Sequence, residues 1–404
     1  MTPELKGLLL VGSLKVTVGF SVLLLAVAFV TWLERRVAAW IQNRIGPNRV
    51  GPQGLFQPIA DGIKNFVKEE VLPAQADRTL FLLAPAMAFV PSLLLFAVIP
   101  FAAPLPLSFD FTLPVLGRFV HTGVVPMIVA DLPIGFLFIL AMSSLAVYGI
   151  VFAGWSSGNK YSFLGGLRSS AQMVSYEIGL GLSLIPVLLI VGDVRLTEVV
   201  AVQQRSAWLV IPLTLSFMFF AISALAENNR LPFDLPEAEG ELVGGYHTEY
   251  SSMRFAIFFL AEYGALITMS ALMATLFFGG WDIPFTRWDQ GEPSALKWLL
   301  TLGSFVGKTF FFVFCYIWIR WTLPRFRFDQ VMALGWKFLL PVALAYVMVM
   351  AAAVWTFDAM GWEYGRLYAW GLFVVNLVLG GALLYGLDSD RLIWGQRLQR
   401  EGRM

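Results

Sequence analysis

Continuous apolar runs of about 20 residues recur along almost the whole chain, and each is long enough to cross the hydrocarbon core of a bilayer as a helix. They fall near residues 8–32, 80–102, 125–152, 171–192, 207–226, 255–278, 298–321, 338–357 and 369–387. Because the runs are unbroken rather than alternating, they read as helices and not as barrel strands. With 58% hydrophobic and 14% charged residues, the 404-residue chain is expected to be a single polytopic membrane domain over 1–404. Its expected fold is all-α: an integral membrane bundle of about nine transmembrane helices. The first run continues well beyond a signal-peptide core without a small-residue cleavage site, so it is read as a retained span.

Nine spans put the termini on opposite sides of the membrane. Loops after spans one, three, five and seven hold fourteen Lys and Arg, from Arg35 and Arg36 to Lys337; the intervening loops hold six, Arg118, Arg195, Arg205, Arg287, Lys297 and Arg366. The positive-inside bias therefore places the first set in the cytoplasm, the N-terminus outside and the C-terminal tail with its four arginines inside.

Composition also limits the chemistry. One cysteine, Cys315, excludes disulfides and cysteine-ligated iron–sulfur clusters. His121 and His247 lie far apart in unlike contexts, which argues against a haem or metal site, so no redox centre is expected in this chain. A net charge of +1 with no dense basic run gives no reason to expect nucleic acid.

Against this apolar background the acids stand out. An ionised carboxylate at mid-helix costs about 2.5 to 3.5 kcal/mol, yet Glu177, Glu227 and Glu262 lie inside or at the edge of apolar runs, all in the cytoplasmic half. Between the last two runs the loop Asn228-Asn229-Arg230-Leu231-Pro232-Phe233-Asp234-Leu235-Pro236-Glu237-Ala238-Glu239-Gly240-Glu241, with four carboxylates and one arginine. Buried acids leading to an acidic loop point to a proton path. The bland alternatives are hydrogen bonds between helices for Glu177 and Glu262, and a solvated turn for the loop. Its flanks Leu231, Phe233 and Leu235 are too apolar for an ordinary solvated turn, and its acids should repel each other unless protonated or paired with another subunit. Asp131, with Pro133, is placed near the outer end of the third span, and Lys308 near the middle of the seventh, where it needs a partner.

The first cytoplasmic loop opens on Glu34-Arg35-Arg36 and contains the pairs Gly46-Pro47 and Gly51-Pro52, which force turns but lack nucleotide-binding spacing. From Pro58 to Pro73, Ile59, Ile63, Phe66, Val67 and Val71 share one face while Asp61, Lys64 and Lys68 fall on others, predicting an amphipathic helix lying at the membrane surface.

Four stretches together resemble the H-subunit family of respiratory complex I, NADH–quinone oxidoreductase. They are 34–69, the segment AENNRLPFDLPEAEGELVGGYHTEY at 226–250, Ala261-Glu262-Tyr263, and Pro324-Arg325-Phe326-Arg327-Phe328-Asp329-Gln330. The resemblance extends to about Pro341, leaving 342–404 as C-terminal spans and tail outside the family-like core 1–341. It implies a translocase subunit of the bacterial cytoplasmic (inner) membrane that forms, with the peripheral arm, the access tunnel and chamber for a quinone such as ubiquinone. Glu34, Arg35, Asp61 and Arg230 would face the quinone. Glu177, Glu227 and Glu262 would start a buried carboxylate proton relay, with Asp234, Glu237, Glu239 and Glu241 in the coupling loop beside the chamber. Quinone would be the substrate, with NADH, FMN and iron–sulfur clusters in partner subunits and no cofactor held by this chain alone. The partners would be the quinone-site subunits of the peripheral arm and the small and antiporter-like membrane subunits. Membrane subunits of energy-converting hydrogenases share weaker versions of these loops, and a stand-alone ion-coupled transporter would also keep acids in the membrane. Such carriers usually show two inverted halves, and no internal repeat is visible.

Overall fold

The computed structural model describes residues 2–388 except 115, 116, 237, 238, 285 and 287. Glu237, Arg287 and the arginine-bearing tail beyond residue 388 therefore lie outside the described residues. In chain order the elements are α1 (Pro3–Ile41), α2 (Gln57–Val67), α3 (Arg78–Phe96), β1 (Ala102–Leu113), β2 (Gly117–Met127), α4 (Gly135–Ser156), α5 (Lys160–Val191), α6 (Leu196–Arg205), α7 (Thr214–Glu227), α8 (Glu239–Leu242), α9 (Ser252–Phe277), α10 (Ala295–Thr322), α11 (Phe328–Ala333), α12 (Leu340–Ala359) and α13 (Arg366–Asp388). Among the described residues eight helical stretches are long and apolar enough to cross a membrane, and α7 is a shorter apolar one.

Several helices depart from the predicted spans for physical reasons. The run at 207–226 is helical only from Thr214, because Pro212 interrupts it and the preceding residues form turns. Asn376 on α13 holds that break, donating to Pro212 O (2.6 Å) and accepting from Leu215 N (3.3 Å) and the Tyr346 hydroxyl (2.9 Å). The third predicted span begins at residue 125, yet Val125 belongs to β2 and α4 starts at Gly135. β1 and β2 pair as a two-stranded antiparallel hairpin, the one sheet among the described residues. Its apolar residues pair across strands, as Phe111 does with Phe119, and Asp110 accepts from Arg118. Asp131 and Pro133 accordingly sit in the β2–α4 link, not in a span, and Thr197 donates to Asp131 (3.3 Å).

The hairpin marks one end of the bundle. Ala103 N donates to Thr301 near the start of α10 (3.0 Å), and Lys15 of α1 donates to Ile128 O (3.0 Å). α1 is 39 residues long, so at 1.5 Å per residue it runs about 58 Å and carries Glu34, Arg35 and Arg36 past the predicted span to the other end. α9 lies at the centre, with every residue from Leu266 to Phe277 buried. α3, α10 and α1 pack against it, α4 packs in turn on α3 and α5 on α4, and α4 approaches α3 so closely that a Cβ on Gly149 would sit 2.5 Å from Ala88 N. α11 and α12 are joined by a π-helical turn, Leu334–Leu339, ahead of Pro341, where the missing N–H prevents a regular ladder. The Tyr176 hydroxyl on α5 donates to Val331 O on α11 (2.9 Å), which ties this region to the core.

Candidate functional site

α1, α9, α10 and the segment after α7 meet at the end of the bundle opposite the hairpin, around Arg230. Asn229 has a left-handed backbone (φ 50°), ending α7 and turning the chain inward. Gln172 on α5 secures the turn, its amide nitrogen lying within hydrogen-bonding distance of Ala226 O (2.7 Å), Phe233 O (2.8 Å) and Asn229 Oδ1 (3.1 Å). The guanidinium thus delivered is 4% exposed, and buried charge of that kind needs partners. Arg230 Nη1 donates to Glu34 Oε2 (2.8 Å), its Nε faces Glu262 Oε1 (2.5 Å), and its Cζ lies 4.3 Å from the centre of the Tyr263 ring. Glu34 Oε1 also accepts from Arg320 near the end of α10. Burial opposes the Arg230 charge, but Glu262 and Glu34 outweigh it and hold the proton more tightly than on an ordinary arginine.

Behind this clamp lies a cavity of about 70 Å³, room for a few water molecules, lined by Ser92, Ile150, Met173, Glu227, Tyr246 and Glu262 among others. Glu262 therefore belongs to both the clamp and the cavity. Glu227 is buried beside Ser143, within electrostatic reach of Glu177, and its Oε2 has no hydrogen-bond partner among the described residues. Glu177 Oε1 accepts from Ser144 on α4. The three acids predicted from apolar runs thus lie in one neighbourhood, on α5, α7 and α9, with serines of α4 between them.

The acidic loop is divided in the structure. Asp234 is buried and accepts from Arg325 (2.8 Å), while Phe326 N donates to Pro232 O (3.1 Å), so this half is stapled to the α10–α11 link. Glu241 is exposed and pairs with Arg168 of α5 (2.6 Å). Glu239 begins α8, and Glu237 lies outside the described residues. The expectation that these acids repel each other unless protonated or paired with another subunit is corrected for Asp234 and Glu241, each of which has an arginine from another element of this chain. Beyond α8 the chain packs tightly on α5, where a Cβ on Gly165 would lie 2.6 Å from Tyr246 N.

Arg35 and Asp61 sit on the outer side of the same region. Arg35 donates to Asp61 (2.6 Å), and Gln57 donates to the other carboxylate oxygen (3.0 Å), fixing the end of α1 to α2. Asp61 therefore faces Arg35, not the Arg230 clamp. None of the residues of α2 is buried, and Ile59, Ile63, Phe66 and Val67 are strongly exposed, as the predicted amphipathic surface helix requires.

Arg320 and Arg325 complete the pairing of Glu34 and Asp234. Gln172 and Ser144 escape sequence reading, since a neutral amide or hydroxyl in an apolar run carries little signal. Tyr263 is legible only as a neighbour of Glu262.

A multi-pass bundle that gathers at one end buried ion pairs, and acids with no cationic partner among the described residues, is a membrane protein whose internal charges call for a functional explanation. Sequence relatives narrow that class. Residues 14–351 match the NADH dehydrogenase family, and the chain belongs to it. It is 49% identical over 335 residues to an H subunit of NADH-quinone oxidoreductase from Geobacter metallireducens, covering 83% of this chain and 94% of that protein. It is 50% identical over 336 residues to NADH-ubiquinone oxidoreductase chain 1 of Chondrus crispus, covering 83% and 94%. It is 46% identical over 345 residues to NADH-quinone oxidoreductase subunit 8 of Rhodothermus marinus, covering 83% and 95%.

Proposed function

We propose that this chain is the membrane subunit of a proton-translocating NADH–quinone oxidoreductase that, with the peripheral arm, encloses the quinone and starts the carboxylate relay into the membrane. The observation that carries the reading is Glu262, which shares the Arg230 guanidinium with Glu34 on one side and borders the Glu227 cavity on the other. Electrons would come from iron–sulfur clusters in partner subunits. The substrate takes up protons as it is reduced, so the charge beside the clamp changes during turnover.

Within a poorly solvated region such a change is felt strongly. Arg230 is shared by Glu34 and Glu262, so a charge change beside the clamp alters its hold on Glu262. A proton on Glu262 would then have Glu227 on the same cavity, with Glu177 within electrostatic reach of Glu227. Arg35 and Asp61 would form the mouth, where the exposed apolar face of α2 meets lipid. The basic loops after the odd-numbered spans support a cytoplasmic position for this end, in a bacterial inner membrane.

The test uses Glu262→Gln in the intact complex. The amide keeps the shape and cannot titrate, so quinone reduction and proton translocation should fall together while NADH oxidation by a soluble artificial acceptor stays normal. Wild-type rate and stoichiometry would leave Glu262 a structural partner of Arg230 and remove the relay.

A further inference from the structure

At the other end of α9 and α10 lies a second buried group of polar side chains that the proposed chamber does not use. Phe277 is 15 residues beyond Glu262 on α9, about 22 Å along the axis. There Gly279 and Gly280 take left-handed conformations (φ 73° and 55°) and turn three carbonyls toward Lys308 of α10. Lys308 Nζ donates to Phe278 O (2.7 Å), Gly280 O (3.0 Å) and Asp282 O (2.6 Å). An ammonium has three protons to donate, so these carbonyls use all of them. Lys308 therefore caps the C-terminal end of α9, and neither nearby carboxylate receives its hydrogen bond.

Those carboxylates are Asp282 and Asp289, 6% and 5% exposed. Trp208 Nε1 donates to Asp282 Oδ2 (2.6 Å), and Gln204 Nε2 and Ile283 N donate to Asp289 Oδ2 (3.1 and 3.3 Å). All three donors are neutral. Asp289 Oδ1 is buried with no hydrogen-bond partner among the described residues, while the two carboxyls are within hydrogen-bonding reach of each other. Among the described residues Lys308 is the charged group facing the pair; α6 and the link after it contribute Gln204 and Trp208, which do not titrate. Two adjoining buried carboxylates beside one ammonium leave an excess negative charge, and a single proton removes it while giving Asp289 Oδ1 its missing bond.

We propose that Asp282 and Asp289 together bind one proton, forming a second proton-binding site at the hairpin end of the bundle, remote from Arg230. Burial, then the hydrogen bond with Asp289 and its charge, push Asp282 up to about 6, against the opposing pull of Trp208 and Lys308. A carboxyl whose folded pKa is raised favours the folded segment most in acid. That advantage is lost as pH rises from the ordinary carboxylate range through about 6. This inference does not rest on the quinone reading.

The test is hydrogen exchange on the intact complex in lipid, following the amides of 278–284 and correcting for intrinsic exchange. Protection should fall about tenfold between pH 5 and pH 7. In Asp289→Asn the new amide donates to Asp282 and no proton is shared, so the pH dependence should flatten; Asp282→Asn should do the same. Flat wild-type protection, or a tenfold dependence retained in both variants, overturns the proposal. If neither variant assembles, the wild-type profile decides alone.

Discussion

Glu34 and Glu227 are almost equally buried, at 4% and 6% exposure, but their surroundings are opposite. Glu34 is held between Arg230 and Arg320, and both of its oxygens are paired with guanidinium nitrogens. Glu227 has a serine beside it, another acid within reach, and an oxygen without a partner at the cavity. Burial alone therefore does not define the role of an acid in this bundle. A carboxylate between two guanidiniums is fixed in charge and stiffens the structure, whereas one beside water-sized space and another acid is suited to gaining and losing a proton.

The sharpest way to break this contrast is Arg230→Met. It leaves Glu34 and Glu262 buried without their common partner, which costs about 3–5 kcal/mol. Assembly should fail or weaken severely on native gels, with loss of quinone reduction in whatever assembles. Normal assembly would mean that the clamp contributes little to the structure.

Glu227→Gln should behave differently. With no guanidinium to abandon, assembly should be near normal. Proton translocation driven by NADH oxidation should fall about a hundredfold, the low end of what one positioned proton-transfer group contributes. Reconstituted vesicles with a pH-sensitive dye measure it. Unchanged translocation would place Glu227 with the structural acids.

Arg35→Ala sharpens the comparison at the surface. Its pair with Asp61 is half exposed and worth about 0–1 kcal/mol, so stability should hold. The proposed position at the mouth predicts a raised KM for quinone with normal NADH oxidation by a soluble acceptor. Equal loss of both activities in an assembled complex would remove the mouth assignment.

The smallest effect is expected from Glu241→Gln. Glu241 is 67% exposed in its pair with Arg168, so both stability and quinone reduction should stay near wild type. A large loss of activity with normal assembly would show that the exposed half of the loop contributes as much as Asp234.

The helical bundle is legible in the sequence because hydropathy is local: a run of apolar side chains must leave water whatever surrounds it, and a charge inside it needs a reason. That logic locates Glu177, Glu227 and Glu262 and the surface helix α2. It cannot distinguish residues 125–127, apolar because the hairpin packs on the bundle, from the start of a span. Nor can it see that Pro212 shortens α7, since the amide that stabilises the break, Asn376, is more than 160 positions away. Pairing is decided only by tertiary structure. Arg230 is followed in sequence by Asp234, yet its carboxylates come from α1 and α9, and Asp234 is taken by Arg325. Hydropathy thus determined which segments enter the membrane, because transfer from water depends on each segment's own atoms. Which acid is clamped between guanidiniums and which is left beside a cavity depended on side chains brought together from distant helices, because Coulomb attraction and desolvation depend on distance in space and not along the chain.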